Sequence, residues 1–308
     1  DPYRPDVIVL TSAEWDHPDV FPDTAAVIDA IEGWVRRAAE RPGADGRGRG
    51  DRRPLLVANV GSVEVATLVE RLGDWPGRVL RTALDQAPGS LDVAGRVVAA
   101  DPEGTVLRVT VADGVHDVRL STAGRHNAAN ALGVIGACTA AGYPVEAVLA
   151  AASSFPGVGR RLERKGEAGG VVVYDDYGHH PTAIRETLAA VRQREPGRRV
   201  WAVYEPLTFH RTAALLDRFA EVLAAADAVA IADIWAGRDP DPSVASAAGL
   251  AEAVARRNGR IPVAAPGSVE ATAHWLAGQV RGGDAVLVMG GGRSYRIGEL
   301  LLAELAGR

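Results

Sequence analysis

Apolar and polar positions change their spacing along this chain, and those changes outline its elements. Residues 6–10 form a short apolar run that passes into the polar stretch Thr11-Ser12-Ala13-Glu14-Trp15-Asp16-His17. That predicts a strand with a loop at its C-terminal end, the place where open α/β sheets bind ligands. Residues 24–39 put Val27, Ile31, Trp34 and Val35 at helical spacing, residues 43–53 are a Gly/Arg-rich stretch that reads as a mobile surface loop, and residues 55–59 read as a buried strand. Between 91 and 120 the period shortens to two. Residues 105–111 and 115–120, separated by Ala112-Asp113-Gly114, predict a small antiparallel hairpin inserted into an α/β domain. Residues 127–141 and 145–153 are helical by their Ala, Leu and Ile content, with Gly142-Tyr143-Pro144 between them.

Pro156-Gly157-Val158-Gly159 then reads as a joint. Beyond it, apolar runs at 171–174, 200–204, 228–232, 261–264 and 285–289 alternate with helical stretches. Regular alternation of this kind predicts a mostly parallel sheet covered on both faces, Rossmann-like in class. A chain of 308 residues is long for one core, so the expectation is α/β with two domains, 1–157 and 158–308.

Composition narrows the function. Apolar residues make up 47% and charged residues 24%, which excludes a disordered or fibrous chain. The net charge of -5, with no long one-sign block, argues against nucleic acid as a partner. Cys138 is the single cysteine, so neither a disulfide framework nor a cysteine metal cluster can form, and a reducing compartment is expected. No run of about 18 apolar residues occurs and Asp1-Pro2-Tyr3-Arg4 has no signal-peptide character, from which a cytosolic protein with no membrane partner is expected.

The densest chemical signal is Tyr174-Asp175-Asp176-Tyr177-Gly178-His179-His180-Pro181-Thr182, where a strand ends and a helix begins. Two acids and two histidines are costly to bury unpaired, so they should face a polar crevice; the plainer reading is a structural network between Asp176 and His179. Asn127 and Asn130 share a helix face at i and i+3, where carboxamides can pair with a planar base; singly they would be a helix cap and a surface residue. His17 in its loop could be a metal ligand or merely solvated, and Arg161 a phosphate ligand or a surface salt bridge. Met289-Gly290-Gly291-Gly292-Arg293 lacks the G-x-G-x-x-G spacing and an early place in its domain, which excludes nicotinamide binding.

Asp175-Asp176-Tyr177-Gly178-His179-His180-Pro181-Thr182 resembles the start of the C-terminal domain of Mur ligases, particularly their alanine-adding members. The similarity runs back through Gly124-Arg125-His126-Asn127-Ala128-Ala129-Asn130-Ala131 and Gly157-Val158-Gly159-Arg160-Arg161, and on through Tyr204-Glu205-Pro206 to Arg211-Thr212. The resemblance implies a mononucleotide-binding-type middle domain and a Rossmann-like C-terminal domain. It also implies ATP-dependent ligation in peptidoglycan synthesis: the carboxylate of UDP-N-acetylmuramate is phosphorylated, and an amine, L-alanine or a short peptide, attacks the acyl phosphate. On this resemblance His17 helps hold Mg2+, His126, Asn127 and Asn130 lie against adenine, and Arg161 reaches the phosphates. Asp176 sits beside ribose or metal, while Tyr177, His179, His180 and Arg211 face the amine donor, for whose carboxylate an arginine fork is suited.

Two features depart from the family. Alanine-adding members read Phe-Gln-Pro-His-Arg-Tyr-Thr-Arg-Thr where this chain has Tyr204-Glu205-Pro206-Leu207-Thr208-Phe209-His210-Arg211-Thr212, and Glu-Pro there resembles the members that attach a recycled tripeptide. Nor does G-x-x-x-x-G-K-[ST] occur; Lys165 is the sole lysine, which also excludes the carbamoylated lysine of some sister ligases. The chain is therefore expected to be part of a longer ligase, with a non-catalytic module that binds nucleotide or cell-wall precursor as the competing expectation.

Overall fold

Runs of Val, Leu and Ala assemble into two sheets of six strands each in the computed structural model, which describes residues 3–40, 53–86, 90–112, 114–239 and 241–308. The expected Gly/Arg-rich loop, save Arg53, and Asp113 of the expected turn lie outside the described residues. The chain divides into two compact units, Asp1–Pro156 and Gly157–Arg308. Among the described residues no helix is long and apolar enough to cross a membrane.

The first unit runs β1 (Val7–Leu10), α1 (Thr24–Ala38), β2 (Leu55–Asn59), α2 (Val63–Arg71), β3 (Arg78–Leu84), β4 (Val93–Asp101), β5 (Gly104–Val111), β6 (Gly114–Leu120), α3 (Arg125–Ala140) and α4 (Val145–Ser154). Strands β1 to β4 are parallel neighbours and β4 to β6 an antiparallel meander. The antiparallel part therefore has three strands rather than the expected two, and β4 joins it to the parallel sheet through Thr82 opposite Val93. Sequence pattern hid β4 because only its first residues, Val93, Ala94 and Gly95, are buried, and its second half carries no clean alternation. Helices α1 and α2 cover one face with Ile28, Val35, Val65 and Leu68 against Ile8, Leu56 and Ala58. Each such aliphatic side chain contributes about 1.5–3 kcal/mol by leaving water. Asp23 and Ser62 cap these helices by accepting from the N–H groups of Ala26 and Val65. The other face is closed by α3, whose Leu132 and Ile135 are buried. Gly136 lets that helix lie close, since a Cβ there would stand 2.9 Å from Leu80 Cδ2.

The second unit runs β7 (Glu163–Ala168), β8 (Val171–Asp176), α5 (Pro181–Arg194), β9 (Arg199–Tyr204), α6 (Phe209–Ala214), α7 (Leu216–Leu223), β10 (Ala228–Ala232), α8 (Ala247–Arg257), β11 (Val263–Gly267), α9 (Val269–Ala277), β12 (Asp284–Met289) and α10 (Tyr295–Ala306). The spatial order is β11-β10-β9-β12-β8-β7, parallel except for the edge strand β7. Buried on both faces, β8, β10 and β12 read as continuous apolar runs. Helices α9 and α10 pack with Val173, Trp201, Val203 and Val288 on one face. On the other, α7 meets the sheet through Phe219 against Tyr204, ring centres 5.4 Å apart, and α5 and α8 pack beside it. Because β12 returns between β8 and β9, the helices that follow β8 and β12 leave to opposite faces. The carboxyl ends of those strands are thus the switch point at which such sheets take their ligands.

Candidate functional site

In the first unit the loop after β1 is fastened to β2, where Asn59 Nδ2 donates to the carbonyl of Thr11 at 3.0 Å. Trp15 Nε1 donates to the carbonyl of Phe21 at 2.8 Å, which closes the loop on itself. His17 stands in this loop with φ of 56°, a left-handed conformation sparsely used by residues with a side chain but relatively tolerated by His. Its carbonyl accepts the N–H groups of Val20 and Phe21, both at 2.8 Å, and its own N–H donates to Asp16 Oδ1 at 2.7 Å. The ring projects outward, 61% exposed, with Nε2 4.0 Å from Asp16 Oδ2. The backbone is held while the imidazole stays accessible.

Helix α3 begins at Arg125 after Gly124, so His126, Asn127 and Asn130 occupy its first turns. Asn127 is inside the helix and not its cap; its Nδ2 donates back to the carbonyl of Ala123 at 2.7 Å, which fixes the carboxamide. Asn130 is exposed and His126 half-buried. The two carboxamides do share one helix face, with Asn127 immobilised and Asn130 at the surface.

In the second unit the residues after β8 form a tight polar knot. Asp176 is 5% exposed, and each of its oxygens accepts a backbone N–H: Oδ2 from Leu162 at 2.8 Å and Oδ1 from Gly178 at 2.6 Å. It therefore staples the arginine segment to the turn after β8, a structural task the sequence did not reveal. His179 Nδ1 lies 2.9 Å from the carbonyl of Tyr177, and the two rings meet edge to face at 5.2 Å. His180 caps α5, its Nδ1 accepting from the N–H of Thr182 at 3.3 Å. Arg211, in α6, is buried at 3% exposure.

The arginine doublet splits in function. Arg160, with φ of 56°, is tied down by Asp175 Oδ2 at 3.0 Å, the carbonyl of Gly290 at 2.9 Å and Ser294 Oγ at 3.1 Å. Its guanidinium is sandwiched between the rings of Tyr177 and Tyr295, at 5.0 and 5.2 Å. Arg161 is exposed, and its guanidinium sits 5.4 Å from the ring of Tyr177. Arg160 builds the knot, and Arg161 is the one presented to solvent.

Sequence alone assigns Asp175 and Glu205 no role of their own and does not single out Trp235. Asp175 is 1% exposed; burial pushes its carboxyl up, against the pull of Arg160. Glu205, just beyond β9, is 3% exposed and is likewise pushed up by burial, although the N–H groups of Ser294 and Arg293 hold its carboxylate. Trp235 follows β10 and is bridged to Leu207: its N–H donates to the carbonyl of Pro206 at 2.8 Å, and its carbonyl accepts from Thr208 at 2.9 Å. The Gly290-Gly291-Gly292 turn after β12 lies among them, and a Cβ at Gly291 would meet Leu207, His179 and Tyr177 within 3.6 Å. Glu205 stood in a motif quoted for its family likeness, so its residue type was visible and its burial was not.

Arg161, His17 and Asn130 are thus exposed, each within its own unit. No group of three or more His, Cys, Asp and Glu able to hold a metal ion occurs among the described residues. Residues 160–292 match the family model described as Mur ligase, glutamate ligase domain. The chain is 34% identical over 303 residues to the UDP-N-acetylmuramate–L-alanine ligase of Roseiflexus sp. (strain RS-1), covering 98% of this chain and 63% of that protein. It is 36% identical over 314 residues to the enzyme of the same name from Mycolicibacterium gilvum, covering 99% and 61%. Among solved structures, the UDP-N-acetylmuramate-alanine ligase of Thermotoga maritima matches with a TM-score of 0.71 at 19% identity, over 98% of this chain and 60% of that one. The murein peptide ligase of Psychrobacter arcticus matches with a TM-score of 0.65 at 24% identity, over 99% and 58%. A MurF ligase from Thermotoga maritima, solved in complex with ADP, matches with a TM-score of 0.71 at 18% identity, over 99% and 63%. The chain spans about six-tenths of the length of the relatives it matches, and its residues 160–292 match the glutamate ligase domain of Mur ligases.

Proposed function

We propose that this chain supplies the nucleotide-facing and amine-facing residues of an ATP-dependent amide ligase that joins L-alanine to UDP-N-acetylmuramate through an acyl phosphate. The observation that carries this reading is the split of the arginine doublet. Arg160 is half-buried in a network with Asp175, Gly290 and Ser294, and Arg161 is exposed beside Tyr177. An accessible arginine on a fixed scaffold suits charge neutralisation during phosphoryl transfer. ATP, when bound, supplies the activating phosphoryl group. Asn127 and Asn130 would lie against its base, Arg161 would meet its phosphates, and His17 would add one ligand to the Mg2+ that those phosphates carry. Tyr177, His179, His180 and Arg211 belong to the side that receives the amine donor.

A second reading concerns only the donor. Glu205 stands where the alanine-adding members have Gln, with Leu207 and Thr208 replacing a His and an Arg beyond it, so a short peptide is the alternative to L-alanine. Phosphate release decides both questions. The chain in its longer form should release phosphate from ATP only when UDP-N-acetylmuramate and an amine are both present. Turnover with tripeptide and none with L-alanine would move the donor to the peptide, and release that ignores both acceptor and amine would end the ligase reading.

A further inference from the structure

Glu205 is the buried acid whose chemistry the reading above leaves unused. One of its functions is structural, because the N–H groups of Arg293 and Ser294 at the start of α10 hold the carboxylate and tie β9 to that helix. Yet Oε2 has no hydrogen-bond partner among the described residues although the side chain is 3% exposed. An unpaired buried carboxylate oxygen costs stability, and single acids of this kind concentrate at sites that bind something. Oε2 is directed toward the Gly292 side of the glycine turn: a Cβ on Gly292 would stand 2.8 Å from Oε2 and 2.7 Å from Trp235 Cγ. Gly292 is thus what allows the acid and the indole to converge. Trp235 is held there by its backbone bridge to Leu207 and is 42% exposed.

A carboxylate oxygen beside an indole is a receptor for a positively charged nitrogen. The oxygen accepts a charge-assisted hydrogen bond, and the ring face attracts the cation electrostatically. We propose that Glu205, with Trp235, binds the ammonium group of the amine donor and sets the preference for a primary amine. This rests on the ligase reading above, and it gives the donor's nitrogen a partner which that reading had not named.

The test separates an ammonium site from a helix cap. The 308-residue chain is titrated with L-alanine, with an L-alanyl tripeptide and with their N-acetyl counterparts, each followed by ligand-observed NMR. The expected result is that at least one free amine binds about tenfold or more tightly than its acetylated form, the scale of one charge-assisted hydrogen bond. Glu205→Gln should erase that preference without lowering the melting temperature, because Gln keeps a carbonyl oxygen for the two N–H groups and removes an unpaired buried charge. No preference in the wild-type chain, an intact preference in Glu205→Gln, or a clear drop in that variant's melting temperature would each overturn the assignment. In the longer ligating form, Glu205→Gln should raise KM for the amine about tenfold and leave KM for ATP in place. Ligation with an unchanged amine KM sinks this proposal alone, whereas an amine preference in a protein that forms no amide sinks the ligase reading alone.

Discussion

Arg108 reaches Asp117 at 2.7 Å across β5 and β6, and Arg119 reaches Asp101 at 2.9 Å beside them, all four side chains lying at the surface of the first unit. In the second unit Asp175 and Glu205 lie at the C-terminal end of the sheet, each with one oxygen unpartnered among the described residues. The outer pairs hold their carboxylates below the usual range through their arginine hydrogen bonds, while burial pushes the inner acids above it. Water screens the first arrangement and is kept from the second. Charge in the meander therefore lies at a solvated surface, and charge at the strand ends of the second unit is retained at a cost that folding alone does not explain.

Arg160→Ala should break that comparison most severely. The substitution leaves Asp175 buried without its guanidinium and removes the clamp on Gly290 and Ser294. Removing one partner of such a pair costs about 3 kcal/mol, measurable as a lower urea midpoint. A loss below about 1 kcal/mol would mean that solvent already screens the pair.

Arg161→Ala and His17→Ala come next, and they read function where Arg160 reads folding. Both side chains are exposed, so melting should not move, while phosphate release by the longer form should fall about tenfold or more. Turnover unchanged in both variants would remove these residues from the nucleotide side.

How much of this could be read before any coordinates varied with burial. Strands β2 and β10 and helix α1 follow from their apolar spacing almost to the residue, because each has a strong one-sided or continuous pattern. The edge strand β7, Glu163–Ala168, has no such pattern, since its sequence Glu-Arg-Lys-Gly-Glu-Ala never commits a face to the core. In the site, the Tyr174 to Thr182 segment announced itself by its acids and histidines, but their division of labour did not. Asp176 turned out to bind two backbone N–H groups and His180 to cap α5. Those are tertiary and local backbone facts that a string of residue types does not contain. Nor could spacing tell which member of Arg160-Arg161 would be tied down, since that depends on Asp175 in β8 and Ser294 at the start of α10 meeting across a long stretch of sequence.

The pH dependence should show the same contrast with smaller amplitude. The folded-state carboxyl of Asp175 is raised by burial, so the native state takes up its proton at a higher pH than the unfolded chain does. The stability difference between wild type and Asp175→Asn should then move in favour of wild type as pH falls through the raised value, and stay flat above it. Asp101 and Asp117 are lowered, so what they contribute is present above the ordinary carboxylate range and fades as pH falls through their folded values. Paired urea titrations across that range would show the opposite slopes, and parallel slopes would contradict the inner placement of Asp175.

Smallest of all should be the effect of taking apart the pair on the meander. Arg108 donates to Asp117 through two parallel bonds, Nε to Oδ1 at 2.7 Å and Nη2 to Oδ2 at 2.8 Å, a geometry that in a dry interior would be strong. Both side chains, however, are about half exposed, 53% and 48%, so water competes for every donor and acceptor and salt screens what remains. Asp117→Asn should leave the melting temperature unmoved at 0.15 M salt and shift it only slightly at low salt. A loss comparable to that of Arg160→Ala would show that exposure does not separate the two units' charges, and the contrast between them would have to be drawn from packing instead.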